Sequence, residues 1–426
     1  MRQEELLQAL EGGGLLDRLE PVYGEDAAGA ARRLADLIRG YAGVFPGGEE
    51  DVLLFSVPGR TELGGNHTDH QWGRCLAGSV NLDTIACAAP NGTNLVRIQS
   101  RNHRMAEVSL DDLSIRPAES GSSVSMVRGV AARLREMGYT VGGFNAYTTT
   151  RVLRSSGLSS SAAFEVLVGT MMNHLFCGGV LTPLQLAQAG QYAENVYYVK
   201  PCGLMDQLAC ASGGVIAIDF ADPASPVLRQ VQVDLAKEGY ALVIVDAGAG
   251  HADLTEEYAA IPREMGEVSA CFGRERLSQV PYGQFLKELP RVRSACGDRA
   301  LLRAMHFFQD DRRAAEQCAA LERGDFQDFL RLVRRSGRSS FMNLQNVITC
   351  RDSREQPLAV LLALAEELLE GCGACRVHGG GFAGTIQAFV PLDRTEAFTR
   401  GMEALAGAGA CHVLSIRSTG AAVLLP

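Results

Sequence analysis

The densest group of chemically active side chains lies in residues 58–70, PGRTELGGNHTDH, directly after an apolar stretch. An arginine, a glutamate, an asparagine, two histidines and an aspartate surround the glycines of a tight turn there. Polar groups concentrated in this way usually face a ligand, and the alternative is a solvated loop with a structural arginine–aspartate pair. His67 and His70 could also bind a metal ion, but His-x-x-His lacks the third ligand and the helix of known zinc motifs, so we disfavour that interpretation.

A second segment, GLSSSAA at residues 157–163, has the composition of an anion site. Its glycine and serines precede an alanine-rich helix, whose first N–H groups and positive dipole end would converge on one point. The hydroxyls of Ser159–Ser161 could also bind phosphate oxygens or Mg²⁺. A plain serine cap is the alternative, but caps seldom combine these residues, so we favour phosphate binding. A G-x-x-x-x-G-K-[ST] loop is impossible, because no lysine in the chain follows a glycine.

Two further segments complete the candidate chemistry. In AENVYYVKPCGLMDQ (193–207), Glu194 and Asp206 could divide metal binding from proton acceptance, although an isolated Asp206 would more often cap a helix. In RVHGGGFAGT (376–385), the glycines satisfy G-x-G-x-x-G, but too little chain follows them for a nucleotide-binding βαβαβ half. A glycine turn that permits close approach of another loop or a phosphate is the better interpretation.

Strands and helices must position these segments. Residues 1–45 read as helices, and 52–60 as a strand that ends in a Pro-Gly turn, with further β-structure after it. We then expect a helix at 124–137, a strand at 143–152, a helix from 159 to about 176 and another helix capped by Thr182. Strands at 213–220 and 240–250 precede several helices between 254 and 347, and a helix at 357–371 is followed by strands that flank one more helix.

The composition indicates a soluble globular chain with a small-molecule partner. Hydrophobic residues make up 46% and charged residues 21% of the 426 residues, and the net charge of −9 opposes an extended nucleic-acid footprint. The longest stretch without charge, 166–193, contains polar residues, glycines and a proline, so we expect no membrane span. The first residues, MRQEELLQALEGG, lack an apolar signal core, and we therefore expect a cytoplasmic protein.

The twelve cysteines are scattered through the chain. Without a secretion signal, reduced thiols packed as small hydrophobic side chains are the expectation, rather than a disulfide framework. Cys372 and Cys375 form a single C-x-x-C, which supports a zinc or redox site only weakly.

In their order along the chain, the four motifs resemble those of the galactokinases, within the superfamily of small-molecule kinases that includes homoserine, mevalonate and phosphomevalonate kinases. The sugar-kinase signature is similar to residues 58–70, and the phosphate loop to GLSSSAA (157–163). CGLMDQ (202–207) and GGGFAGT match two further motifs of that family, and HADLTEEYAAIPRE (251–264) is similar to the segment that supplies a sugar-contacting tyrosine.

This resemblance implies a two-lobed α+β fold, the GHMP kinase fold, with the active site between the lobes. The N-terminal lobe would resemble domain 2 of ribosomal protein S5, and the C-terminal lobe would be built around a ferredoxin-like βαβ arrangement. We expect a helical arm at residues 1–45, the N-terminal lobe at 46–225 and the C-terminal lobe at 226–426.

The activity implied by the resemblance is ATP-dependent, Mg²⁺-requiring phosphorylation of the anomeric C1 hydroxyl of a hexose, with D-galactose as the first choice. Asp206 would be the catalytic carboxylate, and its partner Arg60 would stabilise charge on the moving phosphoryl group. Glu194 with Ser161, or with its neighbour Ser160, is expected to bind Mg²⁺.

The ligand-binding residues are implied in the same way. The sugar is expected to contact Asn66, His67, Asp69, Gly203 and Tyr258. ATP is expected to contact the phosphate loop, at Ser155, Ser156, Gly157, Leu158, Ser159, Ser160, Ser161 and Ala162. The expected partners are therefore a small-molecule sugar and ATP, without nucleic acid or membrane, and we expect a monomer or a weak dimer.

Several positions depart from the family pattern. The Asn-x-x-Gly-Glu of the signature becomes Glu62, Gly65 and Asn66, and its final tyrosine becomes His70. No tryptophan occurs near residues 120–128, where the family often supplies an adenine contact. The family's glutamate at position 66 accepts a hydrogen bond from the 6-hydroxyl, whereas Asn66 is neutral and can donate. We therefore expect Asn66 to lie against C6, and a substrate altered at C6 stays open.

Other activities also stay open at this point. One is a sugar 1-kinase for L-arabinose, galacturonic acid or N-acetylgalactosamine, and another is a catalytically silent sugar-binding regulator. Such regulators typically lose residues of the phosphate loop, whereas residues 159–163 and Asp206 are intact here, which favours an enzyme. The sugar signature disfavours a decarboxylase of the mevalonate branch.

Overall fold

A large β-sheet dominates the first half of the chain in the computed structural model, which describes residues 2–47, 51–153, 157–248, 254–382 and 384–425. Its strands are β1 (Leu53–Gly64), β2 (Arg74–Pro90), β3 (Leu95–Ser100), β4 (Ala106–Ser109), β5 (Phe144–Thr150), β6 (Val215–Asp219), β7 (Val227–Val231) and, from much later in the chain, β12 (Ala422–Leu425). Their order is β12-β1-β2-β5-β3-β4, and β6 joins β7 to the first half of β2. The pairing of β3 with β5 is parallel, and the other pairings described for this sheet are antiparallel.

Helices cover both faces of the large sheet, because side chains along a strand alternate in direction. On β1, Leu54 packs with the N-terminal helices, whereas Phe55 and Val57 pack with helices on the other face. The N-terminal helices are α1 (Gln3–Glu11), α2 (Leu16–Tyr23) and α3 (Ala27–Val44). The other face carries α4 (Ser123–Glu136), α5 (Ser160–Phe176) and α6 (Pro183–Tyr192), and α7 (Met205–Ser212) packs beside them against β2 and β6. The helices predicted within residues 1–45 are confirmed.

A second, four-stranded antiparallel sheet forms in the later part of the chain. Its strands are β8 (Tyr240–Asp246), β9 (Ala374–His378), β10 (Thr385–Pro391) and β11 (Cys411–Leu414), in the order β11-β8-β10-β9. The helices of this part are α8 (Thr255–Ala270), α9 (Tyr282–Lys287), α10 (Leu289–Glu322), α11 (Phe326–Ser339), α12 (Pro357–Leu369) and α13 (Thr395–Ala406). Leu242 and Ile244 share a core with α11, while Val243 and Val245 pack with α12 and α13.

The Pro-Gly turn predicted at the end of the first strand is wrong. Pro58 and Gly59 lie inside β1, which continues past them with a shift of register between Pro58 and Arg60. The strand tolerates this proline because β12 pairs with β1 only around Leu54–Ser56, so the described neighbour on that side does not require the missing N–H. The Pro-Gly pair therefore produces a bulge, and the next residues remain on the strand.

Local capping determines where α6 begins. The Thr182 hydroxyl accepts a hydrogen bond from the N–H of Gln185, and the Gln185 side chain accepts one from the N–H of Thr182, which completes a capping box. Pro183 occupies the first helical position, where its missing N–H costs nothing. The prediction of this helix and of its cap is confirmed, as is the helix expected at 124–137, which spans Ser123–Glu136.

The two sheets are not formed by two separate, consecutive segments of the chain. Both β7 and β12 lie after residue 225 and pair within the large sheet. The division into lobes at 46–225 and 226–426 stays a prediction. In the ranges that the structure describes, no helix has the length and apolar character that crossing a membrane requires.

Candidate active site

A cavity of about 2220 Å³ brings residues of all four sequence motifs together. The end of β1 and the loop after it contribute the sugar signature, and the start of α5 contributes the phosphate loop. The loop before α7 and the turn between β9 and β10 close the remaining sides. Residues far apart in sequence therefore meet at one cleft, and we treat this cleft as the candidate active site.

Arg60 and Asp206 form an ion pair in this cleft. Nε and Nη2 of Arg60 donate to Oδ1 and Oδ2 of Asp206, both at 2.7 Å, so the pair is bidentate. The bulge in β1 places Arg60, and the first turn of α7 places Asp206. Burial lowers the pKa of Arg60, but Asp206 outweighs that effect, and the pKa lies above its ordinary value. The Asp206 side chain keeps 31% of its surface exposed, so a substrate can reach the carboxylate.

The phosphate loop ends in a left-handed residue that turns the chain into α5. Ser159 has φ 58°, and its hydroxyl donates to Oδ2 of Asp206. The first bond of the helix joins the N–H of Ala163 to the carbonyl of Ser159, so the N–H groups of residues 160–162 point out of its end. A helix that begins in this way attracts anions through its N–H groups and its dipole.

The other residues predicted to contact ATP fall into three groups. Gly157, Ser160 and Ser161 line the cavity, whereas the side chains of Leu158 and Ala162 are buried in the hydrophobic core. Any contact of those two buried residues with a nucleotide would involve their backbone atoms. Ser155 and Ser156 were also predicted to contact ATP, and they lie outside the described residues.

Glu194 and Ser161 meet as the sequence predicts. The Ser161 hydroxyl donates to Oε1 of Glu194 at 3.3 Å, and Lys200 Nζ donates to the same oxygen at 2.9 Å. Nε2 of Gln207 donates to Oε2 at 3.0 Å. A carboxylate and a hydroxyl are hard oxygen donors, which suit Mg²⁺ when water and phosphate oxygens complete its octahedron. These two residues therefore fit the cation that the family resemblance implies.

A buried acid, Glu165, lies behind this pair and was missed by the sequence predictions. Nε2 of Gln207 donates to Oε2 of Glu165 at 3.0 Å and so links Glu165 to Glu194. Burial, and after it the Glu194 carboxylate, raises the pKa of Glu165 well above its ordinary value. The signal in the sequence was a lone glutamate on an otherwise apolar stretch of α5.

His67 lines the cavity in the neutral state. Burial lowers its pKa to about 3. Its Nε2 lies 3.0 Å from the carbonyl of Gly380, which can only accept, so Nε2 carries the hydrogen and Nδ1 is an acceptor. Nδ1 is buried and has no hydrogen-bond partner within the described parts of the chain. His67 therefore carries an unsatisfied acceptor that protein atoms enclose beside the cavity.

Asp69 and Gly203 approach so closely that a side chain at residue 203 would have to displace the Asp69 carboxylate. The N–H of His70 donates to Oδ1 of Asp69 at 2.9 Å and fixes the carboxylate. A Cβ atom on residue 203 would overlap Oδ2 of Asp69. Both residues line the cavity, as the sequence predicts for a sugar site.

The glycine turn between β9 and β10 receives hydrogen bonds from three directions. Its three consecutive carbonyls accept as follows: Gly379 from Nδ2 of Asn66 at 2.8 Å, Gly380 from Nε2 of His67 at 3.0 Å, and Gly381 from the hydroxyl of Tyr258 at 2.6 Å. Tyr258 lies on α8, and its ring also packs edge-on against Phe382. The turn therefore fixes two parts of the sugar signature and the predicted sugar-contacting tyrosine relative to each other.

Asn66 is buried beneath the cavity wall and is not among the residues that line the cavity. Its Nδ2 donates to Oε1 of Glu62 at 3.0 Å, and its Oδ1 accepts from Asn346 at 2.9 Å and from Ser340 at 3.2 Å. Both ends of the amide are therefore occupied by protein groups, and this geometry does not support the predicted contact of Asn66 with the sugar. The partners come from distant segments, and no pattern around residue 66 could reveal them.

Glu62 takes the cavity-facing position instead. It lines the cavity, and Arg376, which is fully buried, donates to its Oε1. Burial raises the pKa of Glu62 to about 7, although Arg376 and Arg60 act in the opposite direction. The sequence predictions noted residue 62 only as a departure from the family, and the structure gives it a place in the cleft.

Sequence comparisons identify known proteins that this chain resembles. A family model described as the GHMP kinases N terminal domain matches residues 125–214, and one described as the galactokinase galactose-binding signature matches residues 41–90. A galactokinase of Streptomyces coelicolor is 32% identical over 366 residues, which cover 85% of this chain and 91% of that protein. The human galactokinase is 30% identical over 405 residues, which cover 92% and 97% of the two chains.

Solved structures share the fold. The crystal structure of Lactococcus lactis galactokinase complexed with galactose superposes with a TM-score of 0.79 at 24% identity, covering 92% of this chain and 100% of that one. A mevalonate kinase structure gives a TM-score of 0.60 at 13% identity, covering 86% of this chain and 99% of its own. The predicted α+β fold with two lobes is thus confirmed at the level of the fold.

Proposed function

The chain belongs to the galactokinase family of the GHMP kinases, and from that premise we propose that it transfers the γ-phosphoryl group of ATP to the C1 hydroxyl of D-galactose. The observation that carries this proposal is the contact of Asp206 with Arg60 and Ser159 at the N-terminus of α5. A carboxylate that could accept the acceptor hydroxyl's proton, next to a helix N-terminus that attracts phosphates, supports phosphoryl transfer at this point.

Asp206 orients the acceptor hydroxyl in this proposal. Its carboxylate accepts the hydrogen bond of the C1 hydroxyl and takes the proton as the new oxygen–phosphorus bond forms. The bidentate contact with Arg60 fixes the orientation of the Asp206 carboxylate toward that hydroxyl. Arg60 also places positive charge where negative charge develops on the transferring phosphoryl group.

The phosphates bind at the start of α5. The N–H groups of residues 160–162 and the helix dipole attract the triphosphate, which replaces the function of a Walker lysine. Ser161 and Glu194 would hold Mg²⁺, which when bound supplies charge neutralisation at the phosphate oxygens. Mg²⁺ as the cofactor, a monomer or weak dimer, and a cytoplasmic location are predictions from the sequence and belong to this proposal.

The sugar end of the cleft favours a neutral polyol. Asp69 and Glu62 line this wall and offer carboxyl oxygens as hydrogen-bond acceptors. Sugar hydroxyls donate to such groups, whereas the C6 carboxylate of galacturonic acid would meet like charge. We therefore place D-galactose ahead of galacturonic acid.

The proposal is tested by ADP release with purified protein, Mg·ATP and a panel of galactose, L-arabinose, galacturonic acid and N-acetylgalactosamine. The variant Asp206→Asn should lower kcat for galactose by about 10²–10⁴-fold, the range of general-base contributions, while galactose and nucleotide still bind. Asp219→Asn is the matched control, because Asp219 also pairs with an arginine, Arg74, but lies outside the cavity. No galactose turnover in the parent protein, or a loss below about tenfold in Asp206→Asn, contradicts the proposal.

A further inference from the structure

Lys200 is bound to the predicted metal ligand by two separate contacts. After the π-helical turn Ala193–Tyr198, Val199 adopts φ 65° and reverses the chain. The Lys200 N–H then donates to the Glu194 carbonyl at 3.0 Å, while Nζ donates to Oε1 of Glu194 at 2.9 Å. The backbone geometry thus returns this ammonium group to the carboxylate six residues earlier.

The ammonium group occupies the oxygen that a divalent cation needs. Oε1 of Glu194 is the atom that also accepts from Ser161, and Oε2 is used by Gln207. A cation held by Glu194 and Ser161 must therefore share or take Oε1 from Lys200, and two positive charges on one carboxylate oxygen repel each other. Displacing the ammonium group from Glu194 therefore costs this ion pair unless another anion replaces the carboxylate.

A nucleotide changes this balance. Lys200 lines the cavity, and its side chain is 61% exposed on a flexible stem, so Nζ can leave Glu194 without moving the backbone. In our proposal the triphosphate binds at the start of α5, so its negative charges lie on the same side of the cavity as Ser161. An ammonium group displaced by the cation can then pair with phosphate oxygens.

We propose that Lys200 couples divalent-cation binding to nucleotide binding, by holding Glu194 in the free protein and moving to the phosphates when both ligands are present. This inference rests on the proposed function in one respect, namely that a nucleoside triphosphate binds at α5. Lys200 is then a positioning residue for Glu194 in the free protein and a phosphate contact in the loaded protein.

The test uses Mn²⁺ as the cation and a non-hydrolysable ATP analogue, with both affinities measured by calorimetry and the free Mn²⁺ followed by electron paramagnetic resonance. The variant Lys200→Met should bind Mn²⁺ alone at least about fivefold more tightly. It should also reduce the factor by which Mn²⁺ strengthens analogue binding at least about fivefold, the lower end of usual couplings between sites. Mn²⁺ binds the free analogue equally for every variant, so differences between variants report on the protein.

Two further variants separate charge from structure. Lys200→Arg keeps a cation at this position and should keep most of the coupling. Lys237→Met removes another lysine that pairs with a carboxylate, Asp234 at 3.2 Å, on the exposed surface, and should change neither affinity. If Lys200→Met leaves both the Mn²⁺ affinity and the coupling factor at the parent values, the inference is wrong. Because no sugar is present, this result is independent of whether galactose is phosphorylated, and the failure of one proposal is distinguishable from the failure of the other.

Discussion

At the level of single residues, Glu62 and Asn66 form a hydrogen-bonded pair whose two ends have different surroundings. Glu62 faces the cavity and receives Arg376, whereas Asn66 is surrounded by protein donors and acceptors. The family pattern has an asparagine at 62 and a glutamate at 66, so this chain carries the same two residue types in exchanged positions. An exchange of this kind preserves the hydrogen bond between the pair but changes which end bears the charge.

The exchange can be tested by reversing it. Asn66→Glu alone places a second buried carboxylate beside Glu62, and we expect a loss of about 3–5 kcal/mol in the free energy of unfolding, the scale of an uncompensated buried charge. The double variant Glu62→Asn/Asn66→Glu should recover more than half of that loss, because it restores one carboxylate to the pair. Urea unfolding of the four proteins of this cycle measures the effect, and strictly additive losses would show that the pair is not coupled.

Gly203 provides a prediction for the sugar side of the cleft. In Gly203→Ala the new Cβ must displace the Asp69 carboxylate, so we expect KM for galactose to rise at least about tenfold, the effect of losing one charged hydrogen bond, while analogue binding stays unchanged. Gly266→Ala on α8 is the control, because a Cβ there has no neighbour within 4 Å among the residues that the structure describes. An unchanged KM in Gly203→Ala would remove Asp69 from the sugar contacts.

How well the sequence predicted the contacts of a residue depended on how far along the chain its partners lie. A few adjacent residues in each motif were enough to predict the roles of Arg60, Asp206, Ser161 and Glu194. The structure brings Arg60 to Asp206 and Ser161 to Glu194. The Asn66 side chain, in contrast, bonds to Asn346 and to other residues several hundred positions away, and no local sequence pattern could predict these contacts.

At the level of elements, the turn between β9 and β10 fixes the cleft through its backbone. Gly381 has φ 85°, and a Cβ there would overlap the carbonyl of Asn346. Local signals predicted the capped start of α6, because Thr182 and Gln185 lie three residues apart. They failed at Pro58-Gly59, where the strand continues because residues 60–64 still pair with β2 across the sheet.

The close packing of this turn predicts a specific loss. Gly381→Ala adds both left-handed strain and a clash. Gly371→Ala, with φ 78° and no neighbour within 4 Å in the described parts of the chain, adds strain alone. Strain costs about 1–2 kcal/mol per residue, so Gly371→Ala should lose about that much stability. Because of the added clash, Gly381→Ala should lose clearly more stability than Gly371→Ala, and only Gly381→Ala should lower kcat/KM for galactose. Equal losses in stability would mean that residue 381 does not approach Asn346 closely.

At the level of the whole molecule, Asp83 joins the N-terminal helices, the large sheet and the segment before β12. This fully buried carboxylate on β2 accepts from Arg33 at 2.6 Å, from Tyr23 at 2.8 Å and from Arg417 at 3.4 Å. Burial raises the pKa of Asp83, but Arg33 and Arg417 outweigh it and hold the pKa below its ordinary value. One carboxylate thus connects three parts of the fold.

The sign of the pH dependence follows from this lowered pKa. Asp83 binds protons more weakly in the folded protein, so its contribution to stability is present above the pKa of the unfolded chain and is lost as the pH falls through the folded value. Asp83→Asn should lower the free energy of unfolding at pH 7 by about 3–5 kcal/mol, because Arg417 loses its buried partner. The difference from the parent should shrink below about pH 4, near the ordinary pKa of aspartate.

Chemical unfolding between pH 3 and 8 measures this prediction. Asp234→Asn, which removes an exposed partner of Lys237, should cost less than about 1 kcal/mol at every pH. A loss in Asp83→Asn that is the same at pH 3.5 and pH 7 would show that the ionised form of Asp83 does not provide the stabilisation.

The carbonyls of the glycine turn also have a consequence for redesign of the sugar preference. Residues 66 and 258 hold the Gly379 and Gly381 oxygens with N–H or O–H donors, whereas the Gly380 oxygen also accepts from Asn346, so a library that varies residues 66 and 258 freely would mostly contain variants with a buried acceptor left unpaired. Each such loss costs about 1–3 kcal/mol, and two together approach the whole stability of many domains. Libraries restricted at positions 66 and 258 to side chains that can donate would spend their diversity on residues 62 and 69, which line the cavity.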